Sequence, residues 1–211
     1  STAYLCAEIP ELGLMALPGV CEALARHPER LDMDSALWTL LNERLVDRNL
    51  FLLSAGGVME PEYIWSTTRV SSLAELQGVR CRAAGRGAES VAKALGMTPM
   101  AIPSSQLHLA IMRGAVDVVM ANVVTILARN VQERLPFCYR LPTTSFAMVA
   151  LLRRDDYDEL PETSRRALRG TGQWYDTHQA RLCNSEVFPK QVWPTLVAGG
   201  TTITEPLPAD L

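Results

Sequence analysis

Apolar residues near the start of the chain recur at intervals of three and four, which is the spacing of an amphipathic helix. The stripe runs through Leu37, Leu41 and Leu45 and predicts a helix over residues 34–46. A shorter helix is predicted just before it, over residues 18–25. The chain therefore opens with helical structure that has one apolar face to bury.

The two segments that follow have the composition of strands. Asn49 to Ser54 is a short apolar run closed by glycines, and this pattern predicts a buried strand. Tyr63 to Arg69 is rich in aromatic and β-branched residues, so we expect an extended conformation there.

The middle of the chain alternates between strand and helix patterns. Strands are predicted over 79–84, 100–103 and 116–120, and helices lie between them over 85–95 and 104–112. Strands that alternate with helices at this spacing predict βαβ units. The fold class is therefore α/β with a mainly parallel sheet.

The second half of the chain continues this alternation. We expect a helix over 123–135, a strand over 146–152 and a long helix over 161–187. Pro189 and Pro194 predict a break or kink at the end of the long helix.

The composition excludes several classes of protein. The 211 residues are 48% hydrophobic, and 20 Lys+Arg against 23 Asp+Glu give a formal charge of −3. We expect no nucleic-acid partner, because phosphate binding needs a basic face. No apolar run approaches the roughly 20 residues of a membrane-spanning helix.

The five cysteines and three histidines stand at long, irregular spacings, and no CxxC pair occurs. This pattern argues against a zinc site and against a disulfide scaffold. We expect no metal, and we interpret the cysteines as small buried hydrophobic residues or incidental thiols.

The loop from Gly85 to Ser90 joins a predicted strand to a predicted helix, where main-chain amides can hold a phosphate. The third glycine of a dinucleotide motif is absent, and no Lys-Ser or Lys-Thr pair follows to make a P-loop. A tight turn is the simpler interpretation, and we expect no cofactor.

Two arginines flank Cys81 in a predicted strand. We expect one guanidinium, that of Arg80, to be solvated and the other, that of Arg82, to reach a cleft at the carboxyl end of the strand. The alternative is that Arg82 is also an exposed salt-bridge partner. The functional interpretation is a clamp for a carboxylate, which the planar guanidinium binds in bidentate geometry.

Several segments, taken in order, resemble the solute-binding subunits of tripartite ATP-independent periplasmic (TRAP) transporters. The segments are Leu73–Arg82 (LAELQGVRCR), Gly96–Pro103 (GMTPMAIP) and Ser105–Asp117 (SQLHLAIMRGAVD), with Ile9–Leu12 upstream and Tyr157–Glu162 downstream. No single segment is specific, but together they cover nearly the whole chain.

The resemblance implies two α/β lobes that are joined by crossing strands and a long lobe-spanning helix and that close over a ligand, as in periplasmic binding proteins. On this basis we assign residues 1–59 and 147–186 to lobe I. Residues 60–146 and 187–211 form lobe II.

The resemblance also implies ligand-binding residues. By position, Arg82 pairs with a substrate carboxylate, and Asn122 hydrogen-bonds the same carboxylate or holds the arginine. Phe146 and Met148 are expected to line the cleft, together with the hinge between residues 56 and 62, and Trp65 is a further candidate for the wall.

The sequence departs from the family pattern near this pocket. Ala84 and Gly85 replace a proline and an asparagine, and Val118 replaces a glycine. Some members carry a second arginine near Glu62, where this chain offers only Glu60 and Glu62. We hypothesise that an acid in the cleft receives an amine or another cationic group of the ligand.

Family members are considerably longer at both ends. We interpret the chain as a fragment or processed form, or as a lobe that a second copy completes, because an open sheet edge favours association.

The sequence thus predicts a periplasmic binding protein, not an enzyme, that captures a small carboxylate solute and delivers it to a membrane permease. Two alternatives remain: a ligand-free remnant that acts as an interaction module, and an enzyme that binds phosphate at the Gly85–Ser90 loop.

Overall fold

The computed structural model describes residues 2–56 and 61–210. The α-helices are, in chain order, α1 (Thr2–Leu5), α2 (Val20–Arg26), α3 (Ala36–Leu45), α4 (Arg86–Ala94), α5 (Leu107–Met112), α6 (Val123–Ala128), α7 (Arg154–Asp158), α8 (Glu162–Leu182) and α9 (Trp193–Ala198). The strands are β1 (Leu50–Ser54), β2 (Glu62–Ser66), β3 (Arg80–Ala83), β4 (Thr98–Ala101), β5 (Val118–Ala121), β6 (Phe137–Thr144), β7 (Ala150–Arg153) and β8 (Thr202–Thr204).

The described strands form two separate sheets. The larger sheet has the order β4-β3-β5-β2-β6-β8, in which β2 is antiparallel to both neighbours and the other strands are parallel to one another. The smaller sheet pairs β1 with β7 in antiparallel fashion. The α/β fold with a mainly parallel sheet is therefore confirmed.

Each sheet has its own apolar core. The smaller sheet contributes Leu52 to a cluster with Leu24 of α2, Leu41 of α3 and Leu12 of a 3₁₀ helix over Pro10–Ala16. The larger sheet is covered on both faces, by α4 on one side and by α5, α6 and α9 on the other. Two cores on two sheets give the two lobes that the sequence predicted.

Most predicted elements appear close to their predicted bounds. The helix predicted over 34–46 is α3, and Ser35 caps it, because its hydroxyl accepts a hydrogen bond of 3.1 Å from the Trp38 amide. The strand predicted over 49–54 is β1, and the three strands of the middle region are β3, β4 and β5.

Two predictions about the second half were wrong. The helix expected over 123–135 ends at Ala128, and Asn130 follows with a φ of +50°, a left-handed conformation that stops a helix. The strand expected over 146–152 begins only at Ala150, and β6 was missed.

Pro189 and Pro194 do not break the helical segment, and a kink at these prolines stays a prediction. Beyond α8 the chain continues as a π-helix over Cys183–Val192 with Pro189 inside it, and α9 follows directly. A π-helix shifts the hydrogen-bond pattern and so accommodates a residue without an amide hydrogen. Pro194 lies in the first turn of α9, where an amide hydrogen is not needed.

Within residues 2–56 and 61–210, the connections between the two sheets follow β1, follow β6 and run along α8. Ala147 packs in the core of the smaller sheet, and Phe188, beyond α8, packs in that of the larger one. The predicted lobe boundary between residues 59 and 60 lies outside the described residues, and the boundaries at 146/147 and 186/187 remain predictions.

A buried carboxylate on α8 holds the first of these crossings. Asp176 is 2% exposed and accepts hydrogen bonds from the Ser54 hydroxyl (2.5 Å) and from the amides of Ala55 (2.9 Å) and Gly56 (3.1 Å). Burial raises the pKa of Asp176, and these three donors act against that rise. Gly56 has a φ of +91°, and a Cβ there would collide with the backbone of Met148, so the two strand crossings touch at this point.

Asp176→Ala is expected to lower the free energy of unfolding by roughly 3 kcal/mol, because it leaves the buried Ser54 hydroxyl and Ala55 amide without their acceptor. The Gly56 amide keeps a second acceptor, the Ser54 hydroxyl oxygen at 3.2 Å. Urea denaturation followed by circular dichroism measures the change. The exposed acid Asp47 is the control, and Asp47→Ala is expected to stay within about 0.5 kcal/mol of the wild type. An equal effect of both substitutions would contradict the bonding role of Asp176.

Candidate functional site

One edge of the larger sheet collects the polar side chains that the sequence singled out. The parallel strands β3, β4, β5 and β6 end at this edge, and the antiparallel β2 begins there. Ligands of open α/β sheets bind at the carboxyl ends of parallel strands. This edge of the sheet is therefore a candidate ligand site.

Arg82 is buried at this edge, with a relative exposure of 1%. Its Nε donates to the Ile102 carbonyl at 3.0 Å, and its Nη1 donates to the Met120 carbonyl at 3.1 Å. These bonds to the loop after β4 and to the end of β5 fix the plane of the guanidinium. A buried positive charge is costly unless an anion or several acceptors surround it.

Arg80 has the opposite surroundings. Its guanidinium is about half exposed and forms a bidentate pair with Asp117, with both distances at 2.9 Å. Arg80 and Arg82 are two residues apart on β3 and therefore lie on the same face of the sheet. Their surroundings differ because Arg80 begins the strand, whereas Arg82 lies near its carboxyl end. The exposed salt-bridge interpretation thus applies to Arg80, and the buried guanidinium is that of Arg82.

Asn122 follows β5 directly and is 2% exposed. Its Oδ1 caps α6 by accepting a hydrogen bond of 2.8 Å from the Thr125 amide. Its Nδ2 is buried and has no hydrogen-bond partner. An orphaned buried donor is uncommon in folded proteins, so this nitrogen is a candidate ligand contact.

Glu62 begins β2 and is 6% exposed. Its Oε2 accepts a hydrogen bond of 2.5 Å from the Thr144 hydroxyl, while Thr143 bonds its main-chain carbonyl at 2.8 Å. Burial raises the pKa of Glu62, and the Thr144 hydroxyl and the positive charge of Arg82 partly offset that rise. The site therefore holds opposite charges close enough to affect each other.

Two cavities separate this edge from the first 18 residues of the chain. One has a volume of about 260 Å³ and one of about 270 Å³, and Cys6 and Ala84 line both. Glu62 lines the first, and Ile102, whose carbonyl binds Arg82, lines the second. Neither Arg82 nor Asn122 is among the residues that line these two cavities.

Hydrogen bonds close the cleft on the side of the crossing after β6. The Ser145 amide donates to the Ala16 carbonyl at 3.2 Å, and the Ser145 hydroxyl donates to the Leu17 carbonyl at 2.8 Å. The Thr2 amide donates to the Ala147 carbonyl at 3.1 Å. These contacts place the N-terminal segment over the sheet edge.

The structure places the remaining predicted residues elsewhere. Trp65 is fully buried in the core of the larger lobe, where its Nε1 donates to the Ala121 carbonyl at 2.9 Å and its ring stacks on Trp193 at 5.9 Å. Phe146 is half-buried and Met148 is 44% exposed. None of the three is among the residues that line the two cavities, and hinge residues 57–60, which include Glu60, lie outside the described part of the chain.

The sequence did not predict the N-terminal wall of the cleft or the hydroxyl groups at the end of β6. Cys6, Ala16 and Leu17 are small or apolar, so no pattern distinguishes them from core residues. The run from Thr143 to Ser145 carried a usable signal, because three consecutive hydroxyl residues interrupt an otherwise largely apolar stretch.

The rival sites find little support. The Gly85–Ser90 loop opens α4, but Glu89 lies in the first turn, where a carboxylate disfavours a bound anion. Among residues 2–56 and 61–210, no three His, Cys, Asp or Glu side chains come close enough to hold a metal ion. None of the described helices is both long and apolar enough to cross a bilayer.

Solved structures of binding proteins share this fold. A pyroglutamate-specific TRAP solute-binding protein from an unidentified marine microbe is 22% identical, with a TM-score of 0.83 over 99% of this chain and 66% of that one. A Bordetella pertussis extracytoplasmic solute receptor that binds pyroglutamic acid is 21% identical, with a TM-score of 0.82 over 100% of this chain and 67% of that one. A Haemophilus influenzae TRAP solute-binding protein with bound L-gulonate is 15% identical, with a TM-score of 0.86 over 99% and 67%.

The present chain thus spans about two thirds of the length of these structures. The likeness to them establishes the two-lobed fold. The model of the bacterial extracellular solute-binding protein family 7 matches residues 1–211, the whole length of the sequence. The chain therefore belongs to family 7 of the bacterial extracellular solute-binding proteins.

Proposed function

We propose that the chain captures a small carboxylate-bearing solute between its two lobes, as the periplasmic receptor of a TRAP transporter, and delivers it to the membrane permease. The observation that carries the proposal is the unpartnered Nδ2 of Asn122, two residues beyond the carbonyl that holds Arg82. No covalent chemistry is assigned to the site.

A carboxylate fits these two groups. The guanidinium of Arg82 is a planar set of N–H donors that matches the two oxygens of a carboxylate. Asn122 adds a neutral donor, and its side chain is already fixed because its oxygen caps α6. A ligand carboxylate would bring a negative charge to the buried guanidinium and would satisfy the orphaned amide of Asn122.

Closure of the two lobes would make the site selective. The cleft walls come from the N-terminal segment and from the larger sheet, so a ligand between them contacts both lobes. Contacts that exist only in the closed form shift the open–closed equilibrium toward closure. A permease can then distinguish the loaded from the empty receptor by shape.

The ligands of the related structures support this class of solute. Pyroglutamate and L-gulonate, named for the structures above, are both small organic acids. A Xanthobacter autotrophicus protein of the same fold holds β-D-galacturonate, also an acid. The competing remnant hypothesis predicts that no such acid binds.

Arg82→Lys is expected to weaken binding of an acid by about tenfold or more, because an ammonium keeps the charge but loses the planar fork. The ligand panel is pyroglutamate, L-gulonate and D-galacturonate. An acid at 100 times its dissociation constant stabilises the wild type by about 2.7 kcal/mol. At this chain length that corresponds to a rise of roughly 5–10 °C in Tm.

Arg80→Lys is the matched control on the same strand, because Arg80 is exposed and paired with Asp117. It is expected to bind like the wild type. Equal losses in both variants, or no thermal shift with any acid in folded protein, would contradict the carboxylate assignment.

The Asn122→Ser variant tests whether the Asn122 side chain contributes to ligand binding independently of its role in folding. Serine caps a helix about as well as asparagine, so we expect the free energy of unfolding to change by only a few tenths of a kcal/mol. The Nδ2 donor is lost, and affinity for the acid should fall about fivefold to tenfold. Isothermal titration calorimetry measures the affinity, and unchanged affinity would remove Asn122 from the site.

A further inference from the structure

Glu62 is an unusual lining residue for a site that binds an acid, because it is itself a carboxylate. It lies at the same sheet edge as Arg82, lines the cavity of about 260 Å³ and is 6% exposed. Carboxylates are rarely buried to this degree unless they are paired. A second negative charge from a bare dicarboxylate would be repelled here.

The protein supplies Glu62 with few partners. Among the described residues, Thr144 is the only one that hydrogen-bonds its carboxylate, and it binds a single oxygen. An ionised carboxylate has about four acceptor positions. Capacity therefore remains for a donor from the cavity side.

The other described residues around this cavity do not provide that donor. Ser90 donates its hydroxyl to the Arg86 carbonyl, and Ser145 donates its hydroxyl to the Leu17 carbonyl. Glu62 is the one charged residue among those described as lining the cavity, whose other walls include Leu17, Pro18 and Val91 in an otherwise largely apolar set. A ligand in this cavity thus meets one strong acceptor on a mostly apolar surface.

We propose that Glu62 accepts a hydrogen bond from a ligand N–H group, so that the solute is a small carboxylate that also carries an amide or ammonium nitrogen. This inference rests on the proposed function, since it assumes that the carboxylate of the same solute meets Arg82. The cavity volume of about 260 Å³ restricts the solute to a small molecule.

Charge balance favours this class of solute. Arg82 and Glu62 together contribute no net charge, and a zwitterionic amino acid adds none. A neutral amide N–H leaves one net negative charge, that of the ligand carboxylate, but it gives Glu62 a donor without adding a second anion. An N–H also presents no lone pair to the carboxylate, whereas an ether oxygen at the same place presents only lone pairs.

The test compares ligands that differ only at the nitrogen. L-pyroglutamate is paired with 5-oxotetrahydrofuran-2-carboxylate, and L-proline with tetrahydrofuran-2-carboxylate, so that a ring oxygen replaces the N–H. The wild type is expected to bind at least one nitrogen ligand about tenfold or more tightly than its oxygen partner, because the oxygen faces Glu62 without a hydrogen.

Glu62→Gln is expected to reduce that preference to about twofold or less, because its amide donates as well as accepts. Glu43→Gln, at an exposed position of α3, is the matched control and should keep the full preference. Calorimetric titration gives each affinity, and circular dichroism verifies folding. If Glu62→Gln does not fold, the paired ligands on the wild type still decide the question.

The test distinguishes failure of the role of Glu62 from failure of the proposed function. Equal binding of the paired ligands, or binding of D-galacturonate or L-gulonate without binding of any nitrogen ligand, overturns the role of Glu62 and leaves the carboxylate receptor standing. Binding of no acid at all overturns the proposed function itself.

Discussion

The site depends on a positive charge that is held inside the protein. Arg82 is 1% exposed, and its guanidinium is fixed by the carbonyl groups of Ile102, in the loop after β4, and of Met120, in β5. Burying a charge costs several kcal/mol unless acceptors surround it, so the sheet must deliver these carbonyls accurately. The parallel arrangement of β3, β4 and β5 does this, because all three strands end at the same edge.

The antiparallel strand β2 adds the opposite charge. Because it runs against its neighbours, its first residue, Glu62, reaches the edge where β5 and β6 end. The Thr144 hydroxyl then meets the Glu62 carboxylate across the β2–β6 ladder. One reversed strand thus places an acid near a buried arginine and gives the cleft both a donor and an acceptor.

The long helix links this edge to the second lobe. Asp176 on α8 binds the chain where it leaves β1, just before the crossing to β2. Gly56 and Met148 bring the two strand crossings together at the same level. The lobes are therefore joined through a compact set of contacts that lies between the two cores.

The sequence predicted the helices and strands that are determined by the spacing of neighbouring residues. The stripe of α3, the apolar run of β1 and the βαβ alternation that yields β3, β4 and β5 each follow from residue spacing. β6 was missed because Pro142 and a polar end obscure its alternation, and its place is decided by pairing with the distant β2 and β8. Similarly, Arg82 and Asn122 could be named from the sequence, but the burial of Arg82 and the orphaned Nδ2 depend on the tertiary fold. Trp65 illustrates the converse, since an aromatic residue near the expected pocket packs in the core instead.

The most direct test of the account is a crystal structure of the 211-residue chain grown with a bound organic acid such as pyroglutamate. The account predicts the ligand carboxylate within hydrogen-bonding distance, roughly 3 Å, of the Arg82 guanidinium and of Asn122 Nδ2. A ligand bound elsewhere, for example in the apolar groove lined by Leu14, Leu24 and Leu37, with Arg82 and Asn122 in their present contacts, would contradict it.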